Sequence, residues 1–213
     1  MEDKVLEKKE GWQMNVEIYE DYVIKSPKNK EQMRKKIEKH LIKKNQLYLL
    51  DEKINFIHSS ISNSLKIIDD SNVPMKLLAN ATIKNGVIKQ DKVVLVKERL
   101  YELMAKGEII KAKKIIDKVI DFIIELWKYK IHENTYKFYS SYGIDSNEEV
   151  VLVDFLEITN DAESVKKQIG KKKWDKPKRY FGKVERELRE YFINLSNKKL
   201  TIDTFRKYWG KRL

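Results

Sequence analysis

The stretch Val150-Val151-Leu152-Val153-Asp154-Phe155-Leu156-Glu157 is where this chain most clearly places a reactive group. A β-branched apolar run reads as a buried strand, and this one ends in a carboxylate followed by an aromatic and a turn. A strand that delivers one carboxylate at its C-terminal end can present a hard oxygen ligand to a cation at a cleft. The simpler alternative makes Asp154 a cap for the segment that follows. Two other sets of residues invite chemistry. Lys25 ends the strand-like Val23-Ile24-Lys25, and Ile131-His132-Glu133-Asn134 lies between a long apolar helix and the Asp154 strand. Cysteine is absent, so disulfides and thiolate metal sites are excluded. Only three histidines occur (His40, His58, His132), which argues against a histidine-rich zinc site.

The elements that must position these residues can be read from periodicity. Residues 1–10 are charged and read as frayed or as a short helix. Val16 and Ile18, then Val23-Ile24, alternate with polar residues as two antiparallel strands, with Glu20-Asp21 as their turn and Ser26-Pro27 as the stop. Lys30 to about Asn45 reads as a helix with Met33, Ile37, Leu41 and Ile42 on one face. Tyr48 to Asp69 has further helical spacing, and Asp69 to Asn72 reads as a loop. Leu77 to Ile83 and Val87 to Val96 read as a strand pair around the turn Lys84-Asn85-Gly86, with Val93 to Val96 buried on both faces. Helices follow over Arg99–Met104 and Glu108–Tyr129. The second carries a wide apolar stripe from Ile109 and Ile110 to Trp127. Lys130 to Asn147 reads as a loop into the Asp154 strand. Helices over Val184–Leu195 and Thr201–Trp209, separated at Ser196-Asn197 and with Thr201 as a cap, close the chain.

This order is a strand-containing half, residues 1–97, joined by a short hinge to a helical half, residues 98–213. Charged residues are 37% of the chain and hydrophobic residues 41%, which is enough apolar material for a core. No apolar run is long enough to span a bilayer and no leader pattern opens the chain, so a cytoplasmic protein without a membrane partner is expected. The formal net charge of +12 attracts nucleic acid, anionic lipid, nucleotides or acidic proteins, although a Lys- and Ile-rich composition with few Gly and Pro also arises from an AT-rich genome or a hot habitat without any such partner.

With these residues in this order, the chain resembles the protein-kinase-like superfamily, which includes aminoglycoside phosphotransferases and small atypical kinases. The resemblance implies an α+β, two-lobed fold with a small antiparallel sheet in the first lobe and a helical second lobe. It implies ATP and magnesium as cofactors and an acceptor that is a small molecule or a protein. On it, Lys25 pairs with nucleotide phosphates and Glu38, in the following helix, orients Lys25, with Glu31 a less well placed rival. Val94 to Glu98 is the hinge, where the backbone around Val96 meets an adenine. Asp154-Phe155-Leu156 resembles the D-F-G motif, Asp154 ligating magnesium. His132 matches the histidine of the catalytic loop, and Glu133 or Asn134 faces the acceptor hydroxyl.

The departures from that pattern are specific. Asn134 stands where the family has an aspartate base, and an amide cannot take up the proton of a hydroxyl. The second metal-ligand position falls on Tyr139, or on Ser141 if the loop is longer by two. No G-x-G-x-x-G and no A-P-E occurs. Only Gly11 precedes the first expected strand, which leaves Lys25, magnesium and the Gly11–Asn15 backbone to hold phosphates. Leu156 replaces the glycine of D-F-G and restricts the backbone there. The alternative in which Lys25 and Glu38 are ordinary surface charges fits a pseudokinase, a binding or regulatory module without turnover. A third reading is a basic nucleic-acid-binding protein. Its site would be the run Lys166 to Arg179, which interleaves lysines with Trp174 and is followed by Tyr180 and Phe181. Against it, those aromatics simply dock onto the helical half.

Overall fold

The computed structural model describes residues 4–175 and 186–211, apart from the side chains of Phe138 and Tyr139. The chain is α+β. It opens with strands β1 (Glu7–Glu10), β2 (Met14–Ile18) and β3 (Tyr22–Pro27), followed by helices α1 (Lys30–Ile42) and α2 (Leu50–Ser71). Strands β4 (Thr82–Lys84) and β5 (Val87–Asp91) complete a five-stranded antiparallel sheet in the order β1-β2-β3-β5-β4. Residues 7–10 are therefore an edge strand and not a frayed or helical segment. All four side chains of β1 are exposed and charged, so no apolar alternation marks it. Its pairing with β2 is set by backbone hydrogen bonds, and its charges guard an open sheet edge.

Three other expectations change. Leu77 to Ile83 is not one strand: Met75–Leu78 is a single 3-10 turn, and Ala79 and Asn80 adopt φ of 53° and 50°, which breaks the extended backbone before β4. Helix α2 continues through Asp69-Asp70 to Ser71 and ends at Asn72, whose φ of 51° is the left-handed C-terminal turn that asparagine tolerates. Val93 to Val96 is not a doubly buried strand. Only Val94–Leu95 is extended, as β6, with Val94 exposed, and Val96 already begins helix α3 (Val96–Ala105). Glu98 accepts a hydrogen bond from the Leu95 N–H at 3.3 Å and so caps that helix start. The Asn85-Gly86 turn forms as read, both residues at positive φ (52° and 77°).

Helix α4 (Ile109–Lys128) is the central beam of the second half. Its stripe from Ala112 to Trp127 is buried, while Ile110 stands in solvent. The segment expected to be a loop after it holds β7 (His132–Glu133), the short α5 (Phe138–Ser141) and β8 (Tyr142–Ile144). Then come β9 (Val150–Leu152), β10 (Ile158–Thr159), α6 (Ala162–Gly170), α7 (Arg186–Lys199) and α8 (Ile202–Tyr208). Ser196 is buried inside α7; the break comes at Leu200, and Thr201 caps α8 by accepting from the Thr204 N–H at 3.1 Å. Strands β6, β8 and β9 form a three-stranded antiparallel sheet, and β7 pairs with β10. One apolar core cluster joins both halves, from Met14 and Ile37 through Ile68 and Leu100 to Phe205. Among the described residues no helix is long and apolar enough to cross a membrane.

Candidate functional site

A cleft of about 1160 Å³ runs between the five-stranded sheet and the segment that follows β9. On its sheet side, side chains two residues apart on a strand face the same way. Val16 and Ile18 of β2 and Val23 and Lys25 of β3 accordingly line the cleft together. Lys25 sits in the middle of the sheet, opposite Val16 on one neighbour and Ile88 on the other. Its side chain crosses to the other wall, where the Lys25 ammonium donates to the Val153 carbonyl at 2.5 Å. Burial pulls its pKa below that of an ordinary lysine, and the Asp154 carboxylate pulls it partly back. Lys25 and Asp154, 129 positions apart by subtraction of their numbers, thus share one electrostatic site.

Asp154 lines the cleft with Leu156 and Glu157. The β9 end that carries it is held by the Ser141 carbonyl, which accepts from the Val153 N–H (2.9 Å) and the Asp154 N–H (3.2 Å). Helix α2 fixes the residues after it, since Ser60 donates to the Leu156 carbonyl at 2.9 Å. Lys137 reaches the same wall and pairs with Glu157 at 3.2 Å. Lys137 was not expected in the site, because nothing in its spacing reveals which way a loop residue points.

The remaining expected residues are placed differently. Glu38 makes no ion pair with Lys25 and does not line the cleft. The side of α1 that does so presents His40, with Lys44 just beyond the helix. Val96 is buried at the start of α3; of the residues expected to form the hinge, Leu95 and Glu98 line the cleft, together with Lys92 and Val93 just before them. Gly143 of β8 leaves room for Val93: a Cβ there would lie 2.3 Å from Val93 Cγ2 and 3.2 Å from Val153 Cγ1.

Glu133 is buried, and both its carboxylate oxygens are occupied. One accepts from the Thr135 N–H at 2.9 Å and from the Thr135 hydroxyl, the other from the Tyr136 N–H at 2.8 Å. Burial raises its pKa to about 7 against those hydrogen bonds. Asn134 Oδ1 accepts from Gln168 Nε2 at 2.8 Å, and its backbone carbonyl accepts from Lys173 Nζ at 2.7 Å. Neither Glu133 nor Asn134 lines the cleft. His132 is buried behind them, its Nδ1 accepting from Trp127 Nε1 at 3.1 Å. Burial and the Lys173 charge lower its pKa to about 3, against a weaker pull from Gln168.

The described residues hold no group of three or more His, Asp or Glu suited to a metal. Asp154 alone could give a magnesium ion one carboxylate ligand, so the rest of its shell would have to be phosphate and water oxygens, an arrangement usual for this ion. The Tyr139 side chain, proposed for a second metal position, lies outside the described residues. Ser141 is buried in α5. In the basic run, Trp174 docks in the core and donates to Asn197 Oδ1 at 3.1 Å. Lys173 turns inward, Lys171 and Lys172 are exposed, and residues 176–185, with Lys176, Lys178, Arg179, Tyr180 and Phe181, lie outside the described residues. Comparison of the chain with family models, with curated proteins and with solved structures gives no match.

Proposed function

We propose that this chain is a divergent kinase-like phosphotransferase that binds ATP with magnesium in the cleft and passes the terminal phosphoryl group to an acceptor hydroxyl. The observation that carries this reading is the convergence of Lys25 and Asp154 on one wall of a cleft whose other walls are a five-stranded sheet and a hinge. A lysine and a carboxylate at one cleft wall are what a nucleotide triphosphate with its metal requires, the first for phosphate charge and the second as metal ligand. When bound, magnesium would neutralise charge on the phosphates. The protein's share is positioning: Lys25 is held by the Val153 carbonyl, and Asp154 is held through the Ser141 carbonyl. Glu157, with Lys137 beside it, replaces Glu133 and Asn134 as the group facing the acceptor, because it is the nearest carboxylate in sequence to Asp154 that lines the cleft.

The second reading is a pseudokinase. It draws on the unpaired Lys25–Glu38 couple and on the way Glu133 and Asn134 are bound into the loop interior. Thermal shift with ATP, with and without magnesium, separates the two when run beside a phosphate-release assay. Ligands that prefer the folded state raise its apparent stability. A magnesium-dependent shift in wild type, lost in both Lys25→Ala and Asp154→Ala, supports the cleft. Turnover that falls in Glu157→Gln supports transfer, whereas a shift without turnover supports the pseudokinase. No shift at millimolar nucleotide overturns the phosphotransferase and leaves the pseudokinase as a fold kept for binding a partner.

A further inference from the structure

Among the described side chains, the exposed aromatic ones are Trp12, Tyr48 and Phe56, at 37%, 81% and 65% exposure. Aromatic rings left in water are costly where nothing covers them; Trp12 and Phe56 line the cleft, and Tyr48 lies in the turn between Lys44 and Lys53, which line it too. Trp12 is in the β1–β2 turn and packs edge-on against His40 of α1, with ring centroids 4.9 Å apart. Phe56 is on α2, with the Lys53 ammonium 5.9 Å from its ring centre. Tyr48 is in the single 3-10 turn that joins α1 to α2. Trp12, His40, Lys44, Lys53 and Phe56 all line the cleft.

Their arrangement follows from the helices. Lys53, Phe56 and Ser60 are spaced i, i+3, i+7, one stripe of α2. The far end of that stripe holds the Leu156 carbonyl, so the near end must face the cleft mouth. On α1, Lys36 and His40 are four apart: Lys36 donates to the Glu10 carbonyl at 2.5 Å, and His40 meets Trp12. Lys28, whose side chain is almost wholly buried, adds an ion pair to Glu10 at 3.4 Å. The turn bearing Trp12 is therefore anchored to α1. Lys44 and Lys53 pair with no carboxylate among the described residues, while Asp51, two residues before Lys53 on α2, pairs with Arg34.

We propose that this mouth binds single-stranded nucleic acid, with bases stacking on Phe56, Trp12 and Tyr48 and backbone phosphates meeting Lys44 and Lys53. Aromatic faces beside a track of unpaired lysines are the physical means by which proteins hold single strands without reading sequence. An acidic protein segment would use the lysines but has no need of three separate rings. The site goes beyond the nucleotide reading and uses neither Lys25 nor Asp154.

The test is fluorescence anisotropy with labelled oligouridylate and oligothymidylate of about a dozen nucleotides, within the range single-strand binders cover, and with a duplex of the same length. Binding is expected to favour the single strands and to weaken about tenfold in Phe56→Ala, as loss of one stacked base does. Lys44→Ala and Lys53→Ala should each reduce the slope of log affinity against log salt by about 0.7. Tighter binding of one oligonucleotide identifies RNA or DNA as the natural strand, and either, if lost in Phe56→Ala, carries the proposal. Phe56 is a surface side chain, and a thermal melt of the variant verifies its fold. Lys25→Ala and Asp154→Ala should keep oligonucleotide affinity whatever they do to ATP, so the two readings fail separately. Absence of binding at low salt overturns the proposal. So does affinity that survives Phe56→Ala and the lysine changes but falls in Lys171→Ala/Lys172→Ala, which would move the site to the basic run. Polyglutamate binding as tightly as the oligonucleotides, with Phe56→Ala without effect, would mark a surface for acidic protein and overturns it as well.

Discussion

His132 and Glu133 are sequence neighbours, both buried, and their protonation shifts change stability with pH in opposite directions. The folded chain keeps His132 neutral down to about pH 3, against 6.5 for the free side chain. Between those values the unfolded chain binds a proton that the folded one refuses. Stability from this group is therefore full above pH 6.5 and is lost as the pH falls toward 3, by about 5 kcal/mol at most. Glu133, raised from 4.5 to about 7, does the reverse: its contribution is full below pH 4.5 and is lost as the pH rises through 7. From 4.5 to 6.5 the two offset. The expected outcome is that the melting-temperature difference between wild type and His132→Asn grows with pH from 3 to 6.5 and is then flat. For Glu133→Gln the difference falls between pH 4.5 and 7. A difference for His132→Asn that is independent of pH would refute the assignment. At this scale Lys25 and Asp154 were legible because each directly follows an apolar, β-branched run, Val23-Ile24 and Val150 to Val153. The inward turn of Glu133 and Asn134 was not, because a loop's hydrogen bonds to Thr135, Tyr136 and Gln168 leave no periodic trace.

Helix α2 does more than fill space between α1 and β4. Through Ser60 and Ser64 it grips the chain just after Asp154: Ser60 donates to the Leu156 carbonyl, and Ser64 accepts from the Ile158 N–H at 3.4 Å. Ser60→Ala should cost about 1 kcal/mol and speed amide exchange at Ile158 and at Asn134, whose N–H donates to the Glu157 carbonyl. Unchanged exchange at both would show that α2 does not fix this segment. At the hinge, Gly143→Ala drives a methyl into Val93 and should cost about 1–3 kcal/mol by overpacking. Adding Val93→Ala should recover most of that loss in urea unfolding. Failure of the second substitution to rescue the first would place the cost elsewhere. The existence of α1, α2 and α4 was readable from their apolar faces. Strand β1 was not, since its four charged side chains record only that both its faces are wet. The inward stripe of α2 was visible as spacing, but which wall it met depends on packing.

For the whole molecule, the single core running from the sheet into α4 and α8 leaves no natural line along which the halves could unfold separately. One cooperative urea transition is expected, coincident by far-ultraviolet circular dichroism and by fluorescence of the buried Trp127 and Trp174. Two separated transitions would contradict that picture. The α+β class followed from patterning, but β1, β7, β8, β10 and α6 did not. The way the halves meet did not, because Lys25 reaches Val153 only once β3 and β9 are brought to the same cleft.

The pairing of Val93 with Gly143 also offers a handle for chemistry. A wall of the cleft is a single valine side chain seated against a residue with none, with Val153 on its flank. Trimming Val93 to alanine removes part of that wall without adding a polar atom or disturbing a hydrogen bond. The vacated space has no counterpart in the parent chain. On the proposed reading of the cleft as a nucleotide site, an analogue carrying an extra alkyl group at its base is expected to enter the trimmed protein and be shut out of the original. On that reading, such a matched pair would address this one cleft and leave unaltered proteins alone.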